Sequence, residues 1–176
     1  MAVIGRSIAA RNGPTIGPPW YNREQTPGEE APMADYVPPT LDWVREHVEL
    51  YESSGGTEGT TLRDTGLACI LVTYTGRKTG ATRKIALMRV KDDDTYLLFG
   101  SIGGAPKHPA WVLNLRSNPE VQIRDRTEVF DMRVREVTDE PERSRLWALG
   151  VEAFPRYDEY QANTTRRIPV FVAEPV

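Results

Sequence analysis

Apolar positions recur along the chain at two spacings, and each predicts a different element. Between Thr40 and Ser53 they fall at Leu41, Val44, Val48 and Tyr51, one stripe of a helix with Thr40 as its N-cap and Gly55-Gly56 as its stop. Leu67 to Tyr74 is an unbroken apolar run rich in strand formers, which predicts a strand covered on both faces. A turn at Gly76 to Gly80 leads to a second strand, Thr82 to Val90, and the polar turn Asp92-Asp93-Asp94 to a third, Thr95 to Ser101. Connections this short exclude parallel crossovers, so the three read as a meander. Pro109 opens a short helix through Arg116, ended by Asn118-Pro119. Glu120 to Arg124 and Glu128 to Val137 are the fourth and fifth strands, turning at Asp125-Arg126. Pro141 begins a helix bearing Leu146, Trp147, Leu149 and Val151, and Ile168 to Val172 is the last strand. Phe154 to Tyr160 is aromatic and partly polar, and no element is assigned to it. The pattern is mainly β with α (α+β): about six strands, mostly antiparallel, with three peripheral helices, closed or nearly closed into a barrel because closure removes exposed edges.

Residues 1–39 do not share this patterning. Gly13, Pro14, Gly17, Pro18, Pro19, Pro27, Gly28, Pro32, Pro38 and Pro39 punctuate them too densely for a ladder or a helix. They read as a flexible N-terminal tail before a single domain at 40–176, with Met33 as an alternative start that would make the preceding residues a gene-calling artefact.

Composition narrows the function classes. The 176 residues carry a net charge of -3, so the chain as a whole is not a nucleic-acid binder by charge. The lone Cys69 sits in the apolar run and cannot form an internal disulfide or a thiolate cluster, which fits a cytoplasmic, reducing compartment. No apolar run approaches the roughly 20 residues of a membrane span. The helical stripe at Leu41 to Tyr51 would pack on a sheet, or in a minority reading touch a membrane surface peripherally. His47 and His108 have no ligand-spaced partners, so no metal site is expected. Neither a GxSxG nucleophile elbow nor a GxGxxG dinucleotide fingerprint is present.

Three stretches could carry chemistry. Thr73 to Lys84 crowds Gly76, Gly80, several hydroxyls and the cations Arg77, Lys78, Arg83 and Lys84 into one strand-turn-strand. Glycines free backbone N–H groups for a ligand, and the cations can neutralise phosphate or carboxylate, though a solvated basic hairpin explains the same residues. The GxxxxGK[ST] spacing of a P-loop is absent. Ser101 to Leu115 places Gly103-Gly104 between a strand and a helix start, where N–H groups can meet an anion. Trp111 could pack on a planar ligand and Asn114 hydrogen-bond it; the alternative is a tight loop feeding a core tryptophan. Phe154 to Tyr160, followed by Thr164 to Arg167, offers aromatics for a substrate wall or for covering the core.

At these residues the chain resembles the deazaflavin-dependent nitroreductase and F420H2-dependent quinone reductase family, enzymes that use coenzyme F420. The resemblance runs from about Leu67 to Val176. It rests on TGRKTG-x-x-R at Thr75 to Arg83, GGAPKHPAW-x-x-NL-x-x-NP at Gly103 to Pro119, F-P-x-Y-x-x-Y at Phe154 to Tyr160 and R-I-P-V at Arg167 to Val170. It implies a split β-barrel of the flavin-reductase, FMN-binding type, and a deazaflavin carrying a phosphate, a lactyl group and a polyglutamate tail. By position in the motifs, Arg77, Lys78, Thr79 and Arg83 would hold the phosphate and acidic tail. The strand Arg83, Lys84, Ile85, Ala86, Leu87 and Met88 would line the cofactor, as would Gly100, Ser101, Ala110, Trp111, Val112, Leu113 and Asn114. Tyr157 would close the site over the ring, with Phe154 and Tyr160 on the substrate side. Two positions depart from the family: Ile102 stands where lysine is frequent, removing one cation, and Phe154 where relatives can carry tyrosine, removing a hydroxyl.

The implied reaction is hydride transfer from reduced coenzyme F420 to a small, electron-poor acceptor such as a quinone or nitroaromatic. Ser101 or Tyr157 is the candidate catalytic group, hydrogen-bonding the acceptor and relaying a proton. A split barrel that binds deazaflavin, flavin or haem without turnover is the alternative. A nucleic-acid hairpin binder would rest on the basic turn alone. Barrel edges and the first helix offer surfaces for a dimer.

Overall fold

The computed structural model describes residues 36–176. Most of the proposed tail, with the alternative start at Met33, lies outside them. In chain order the elements are α1 (Asp42–Ser53), β1 (Cys69–Thr75), β2 (Thr82–Met88), β3 (Lys91–Asp92), β4 (Thr95–Phe99), α2 (Ala110–Ser117), β5 (Glu120–Asp125), β6 (Glu128–Glu136), α3 (Glu140–Ala153), α4 (Arg156–Ala162) and β7 (Val170–Pro175). The strands form one sheet in the order β2-β1-β5-β6-β7-β4-β3, antiparallel at every pairing.

The two ends of that order are consecutive in the chain, and this explains how the sheet curls into a split barrel. Arg89 N donates to Ala68 O at 2.9 Å, extending the β1–β2 ladder, while Leu97 N donates to Val90 O at 2.9 Å, extending β3–β4. One bent strand therefore serves both sides, and β2 diverges from β4 along the split. The expected meander is present in this bent form. Six predicted strands become seven because the chain pairs again just past the bend: β3 takes up Lys91 and Asp92, the second of which was expected in the polar turn.

Period-two alternation sorts the side chains into separate cores. Ile70, Val72 and Tyr74 of β1, Tyr96 and Leu98 of β4, and Phe171 and Ala173 of β7 share one cluster with Trp111, Val112 and Leu115 of α2. The intervening Leu97, Phe99, Val170 and Val172 pack beneath α3 and α4. Cys69 and Leu71 meet Val44, Val48 and Tyr51 of α1, so β1 is covered on both faces as its composition predicts. Burial of those three helix residues contributes about 1.5–3 kcal/mol each, which holds a helix that would be marginal alone. The stripe is spent on the sheet rather than left for a membrane.

Three expectations need correction. Thr40 does not cap α1: Leu41 is the N-cap, in an extended conformation without a side-chain cap, and lies 60% exposed outside the stripe. Phe154 to Tyr160 is not irregular but contains most of α4, a helix too short to show a periodic stripe. Tyr36 bridges Thr82 in parallel and Val37 N donates to Thr82 O at 2.9 Å, so the last residues of the proposed tail join the barrel edge.

Candidate active site

The β1–β2 turn closes on itself. Gly76 N donates to Ala81 O and Gly80 N to Gly76 O, both at 2.8 Å, and Gly80 takes the left-handed φ of +71° that the return requires. Helix α2 and its C-cap then clamp it with two amides, Asn114 and Asn118. Arg77 N donates to the buried Asn114 Oδ1 at 3.1 Å, and Asn118 Nδ2 to Thr75 O at 3.4 Å. The two signature stretches thus meet through main-chain to side-chain bonds.

Between them lies a cleft of about 360 Å³. The turn contributes Gly76, Arg77, Lys78 and Thr79, the strands Tyr74 and Arg83, and α2 contributes Ala110, Leu113 and Asn114. Arg77, Lys78 and Arg83 make no ion pair among the described residues, although most other arginines do. Burial raises the Tyr74 phenol's pKa, against the pull of the Arg83 charge and the Asn114 amide. A concave site with a fixed turn and uncompensated cations suits an anionic ligand.

Strand register decides which β2 residues face that side. Arg83, Ile85 and Leu87 lie opposite Tyr74, Val72 and Ile70, and opposite residues share a face. Lys84, Ala86 and Met88 lie opposite Thr73, Leu71 and Cys69 on the other face. The placement of Lys84 is therefore corrected: its ammonium pairs with Glu52 of α1, which also takes Arg124 Nε at 3.2 Å, and stands 5.6 Å from the Tyr36 ring. Met88 packs beneath α3 and α4.

On α2, Trp111 and Val112 turn inward, opposite to the expectation that the whole segment lines a ligand. Trp111 is 4% exposed, with its ring 5.9 Å from Phe171. Gly100 is a close-approach position: a Cβ there would fall 2.7 Å from Val112 Cγ2 and 2.9 Å from Pro169 Cγ.

The aromatics gather apart from the cleft. Tyr157 stacks on Phe99 at 4.5 Å, Phe154 meets Tyr157 edge-on at 5.1 Å, and Tyr160 lies 6.0 Å from Phe154. Trp147 joins Phe99 at 5.7 Å and donates Nε1–H to Asp158 Oδ1 at 2.7 Å. Gly150 admits the Phe99 ring, since a Cβ would sit 2.3 Å from Phe99 Cζ. Tyr157 is thus a buried residue, and burial raises its phenol's pKa.

Sequence reasoning missed Arg166 as an organising residue. Its guanidinium donates to Ser101 O at 2.6 Å, Ala105 O at 2.7 Å and His108 Nδ1 at 3.1 Å. These bonds hold the loop between β4 and α2, where exposed Ile102 takes φ +43°, strained for a β-branched residue. Gly104 presses on α4, where a Cβ would lie 2.6 Å from Tyr160 O. Tyr74, also missed, lines the cleft only because the ladder turns it there. Among the described residues, no group of His, Cys, Asp or Glu is arranged to hold a metal.

Comparison with known proteins places this architecture. The model of the F420H2-dependent quinone reductase family matches residues 43–175, and the chain belongs to that family. It is an oxidoreductase that uses reduced coenzyme F420. An F420H2-dependent quinone reductase of Mycobacterium tuberculosis is 35% identical over 131 residues, 73% of this chain and 87% of the relative. The solved structure of an F420-H2 dependent reductase is 46% identical, with a TM-score of 0.57 over 60% of this chain and 93% of that one. A second solved structure, described only as a domain-swapped dimer, is 43% identical, with a TM-score of 0.60 over 76% of this chain and 98% of the other. No described helix is long and apolar enough to cross a membrane.

Proposed function

We propose that this chain passes a hydride from reduced coenzyme F420 to a quinone or another electron-poor small molecule, with the coenzyme's anionic portion held in the cleft between the β1–β2 turn and α2. The observation that carries this reading is the trio of Arg77 and Lys78, on a turn that Asn114 fixes, and Arg83, at the start of β2, which have no carboxylate partner among the described residues. The bound coenzyme supplies the hydride. The chain's own residues position it: Arg77, Lys78 and Arg83 neutralise its anionic groups, Thr79 offers a hydroxyl, and Ala110, Leu113 and Asn114 form the opposite wall. Arg83, Ile85 and Leu87 continue the same face along β2. Ser101 and Tyr157 are the groups proposed to hydrogen-bond the acceptor. Burial keeps the Tyr157 phenol protonated at neutral pH, so it can donate a hydrogen bond to the acceptor, while its raised pKa makes it a weak acid for full proton transfer. Phe154 and Tyr160 border that side. The acceptor class is supported by the named activity of the mycobacterial relative.

Residues 40–176, extended by the Tyr36–Val37 contact, form the proposed coenzyme-binding domain. The relative described as a domain-swapped dimer supports a dimeric form. Light scattering on the purified chain checks that state. The functional test mixes purified chain with reduced coenzyme F420 and menadione. Acceptor-dependent recovery of oxidised coenzyme is expected; neither binding nor oxidation would sink the reading.

A further inference from the structure

A second pocket, of about 310 Å³, lies where β6 ends, α3 begins and the segment before β7 passes. His108, Arg116, Glu136, Arg143 and Arg167 line it. Its charges do not cancel internally. Arg116 holds the Glu136 carboxylate with two bonds of 2.7 Å, which uses up the wall's one acid. Arg167 pairs outward with Glu140. Arg143 donates Nη2–H to Ile168 O at 2.9 Å and stands 5.0 Å from the Trp147 ring, with no carboxylate partner among the described residues. Burial, then the like charge of Arg167, act against its protonated form, and Glu140 opposes them only in part.

His108 faces the same excess. Burial, then Arg166, then Arg116 push its pKa below the usual value, and Glu136 opposes them only in part. Arg166 also fixes the tautomer. Arginine only donates, so the bond at 3.1 Å requires His108 Nδ1 to be the acceptor and leaves Nε2–H as the ring's donor. The pocket therefore combines a partly buried guanidinium bonded to no carboxylate among the described residues, a second arginine beside it whose carboxylate partner is Glu140, and an imidazole N–H donor. An oxyanion satisfies all three, replacing the solvation that burial removes.

We propose that this pocket binds the phosphate or carboxylate group of a small molecule, as a site distinct from the basic cleft. The chain has two histidines, which makes the test direct. The ring resonances of His108 and His47 are followed by NMR in the full-length chain at neutral pH. Inorganic phosphate and succinate are titrated in separate arms, with sodium chloride as the ionic-strength control. A saturable shift of His108 is expected, while His47, bonded to Gly59 O at 2.8 Å, stays in place. The anion that saturates at the lower concentration identifies the ligand chemistry. Arg143→Gln is expected to raise the half-point about tenfold by removing one charge-assisted bond. Because that change also loses the Ile168 contact, Arg167→Gln, on an exposed side chain, serves as the second variant and moves the half-point the same way. Three outcomes overturn the proposal: a shift that sodium chloride reproduces, titrations in both variants that match the parent, or loss of the phosphate shift when coenzyme F420 is present in excess, which would make this pocket part of the coenzyme's own site. None of these readouts depends on turnover, so they separate this proposal from the quinone-reductase reading.

Discussion

The basic cleft and the aromatic cluster under α3 and α4 use their side chains in opposite ways. In the cleft the backbone is locked, by the Gly76–Ala81 closure and the Asn114 clamp, while Arg77, Lys78 and Arg83 have no carboxylate partner among the described residues. In the cluster the side chains satisfy one another: Phe99, Trp147, Phe154 and Tyr157 lie within 4.5–6.2 Å, and Gly150 exists to let them approach. The first arrangement withholds interaction energy from folding and keeps it for a ligand. The second commits it to stability. The contrast also separates the two proposed roles of the site, since coenzyme anchoring falls to the cleft while Tyr157 contributes from a packed wall.

Breaking the cluster should give the largest effect. Phe99→Ala is expected to lower unfolding free energy by about 3–5 kcal/mol in denaturant melts, with coenzyme affinity of the folded fraction little changed. A comparable loss of affinity would mean that the two regions are energetically one. Arg83→Gln should do the reverse. Removing a charge-assisted bond worth about 1.5–3 kcal/mol weakens coenzyme binding roughly 10- to 100-fold, while stability stays within about 0.5 kcal/mol. Fluorescence titration against the four tryptophans would read it. Asn114→Ala should move both quantities, because it orphans Arg77 N and frees the turn; about 1–3 kcal/mol of stability and a weaker coenzyme complex are expected together.

Smaller tests sharpen the roles. Tyr157→Phe keeps the stacked ring and should cost less than about 1.5 kcal/mol of stability. A fall in kcat with coenzyme affinity unchanged supports the proton relay, and an unchanged kcat removes Tyr157 from it. Its raised pKa places its deprotonation above the 10.0 of an ordinary phenol, so a basic limb below that pH belongs to another group. The smallest effect is expected at His108. Its folded pKa lies below the 6.5 of a free imidazole, so its stabilising contribution is complete above that value and is lost as pH falls through the folded pKa. His108→Asn should flatten that part of a stability-against-pH curve measured by thermal melts.

Residue types alone left the cleft at two readings, an anion cradle or a solvated basic hairpin; the ordered pairing of Thr75 to Arg83 with Gly103 to Asn114, and the family resemblance both carry, favoured the cradle. Lys84 shows where such reading stops: it adjoins Arg83 in sequence, yet strand alternation sends it to Glu52 on the other face. Trp111 shows the same limit on a helix, turning inward while Asn114, three residues on, faces the turn. Arg166 left no local trace, since its three acceptors lie 58 to 65 residues away. The bend at Arg89–Val90 was equally hidden, because each half of the strand pairs well and only the choice of partner differs.

Local physics was sufficient for the existence of six of the seven strands, two of the three predicted helices at nearly their observed bounds, and the concentration of cations at Thr75 to Arg83, because backbone propensity and period act over a few residues. Facing, closure and pairing were settled only by the folded chain. Whether a cation meets a carboxylate or stays free for a ligand depends on which element packs against its face. At Lys84 that element is α1, carrying Glu52; at Arg83 it is α2, carrying an amide and no acid.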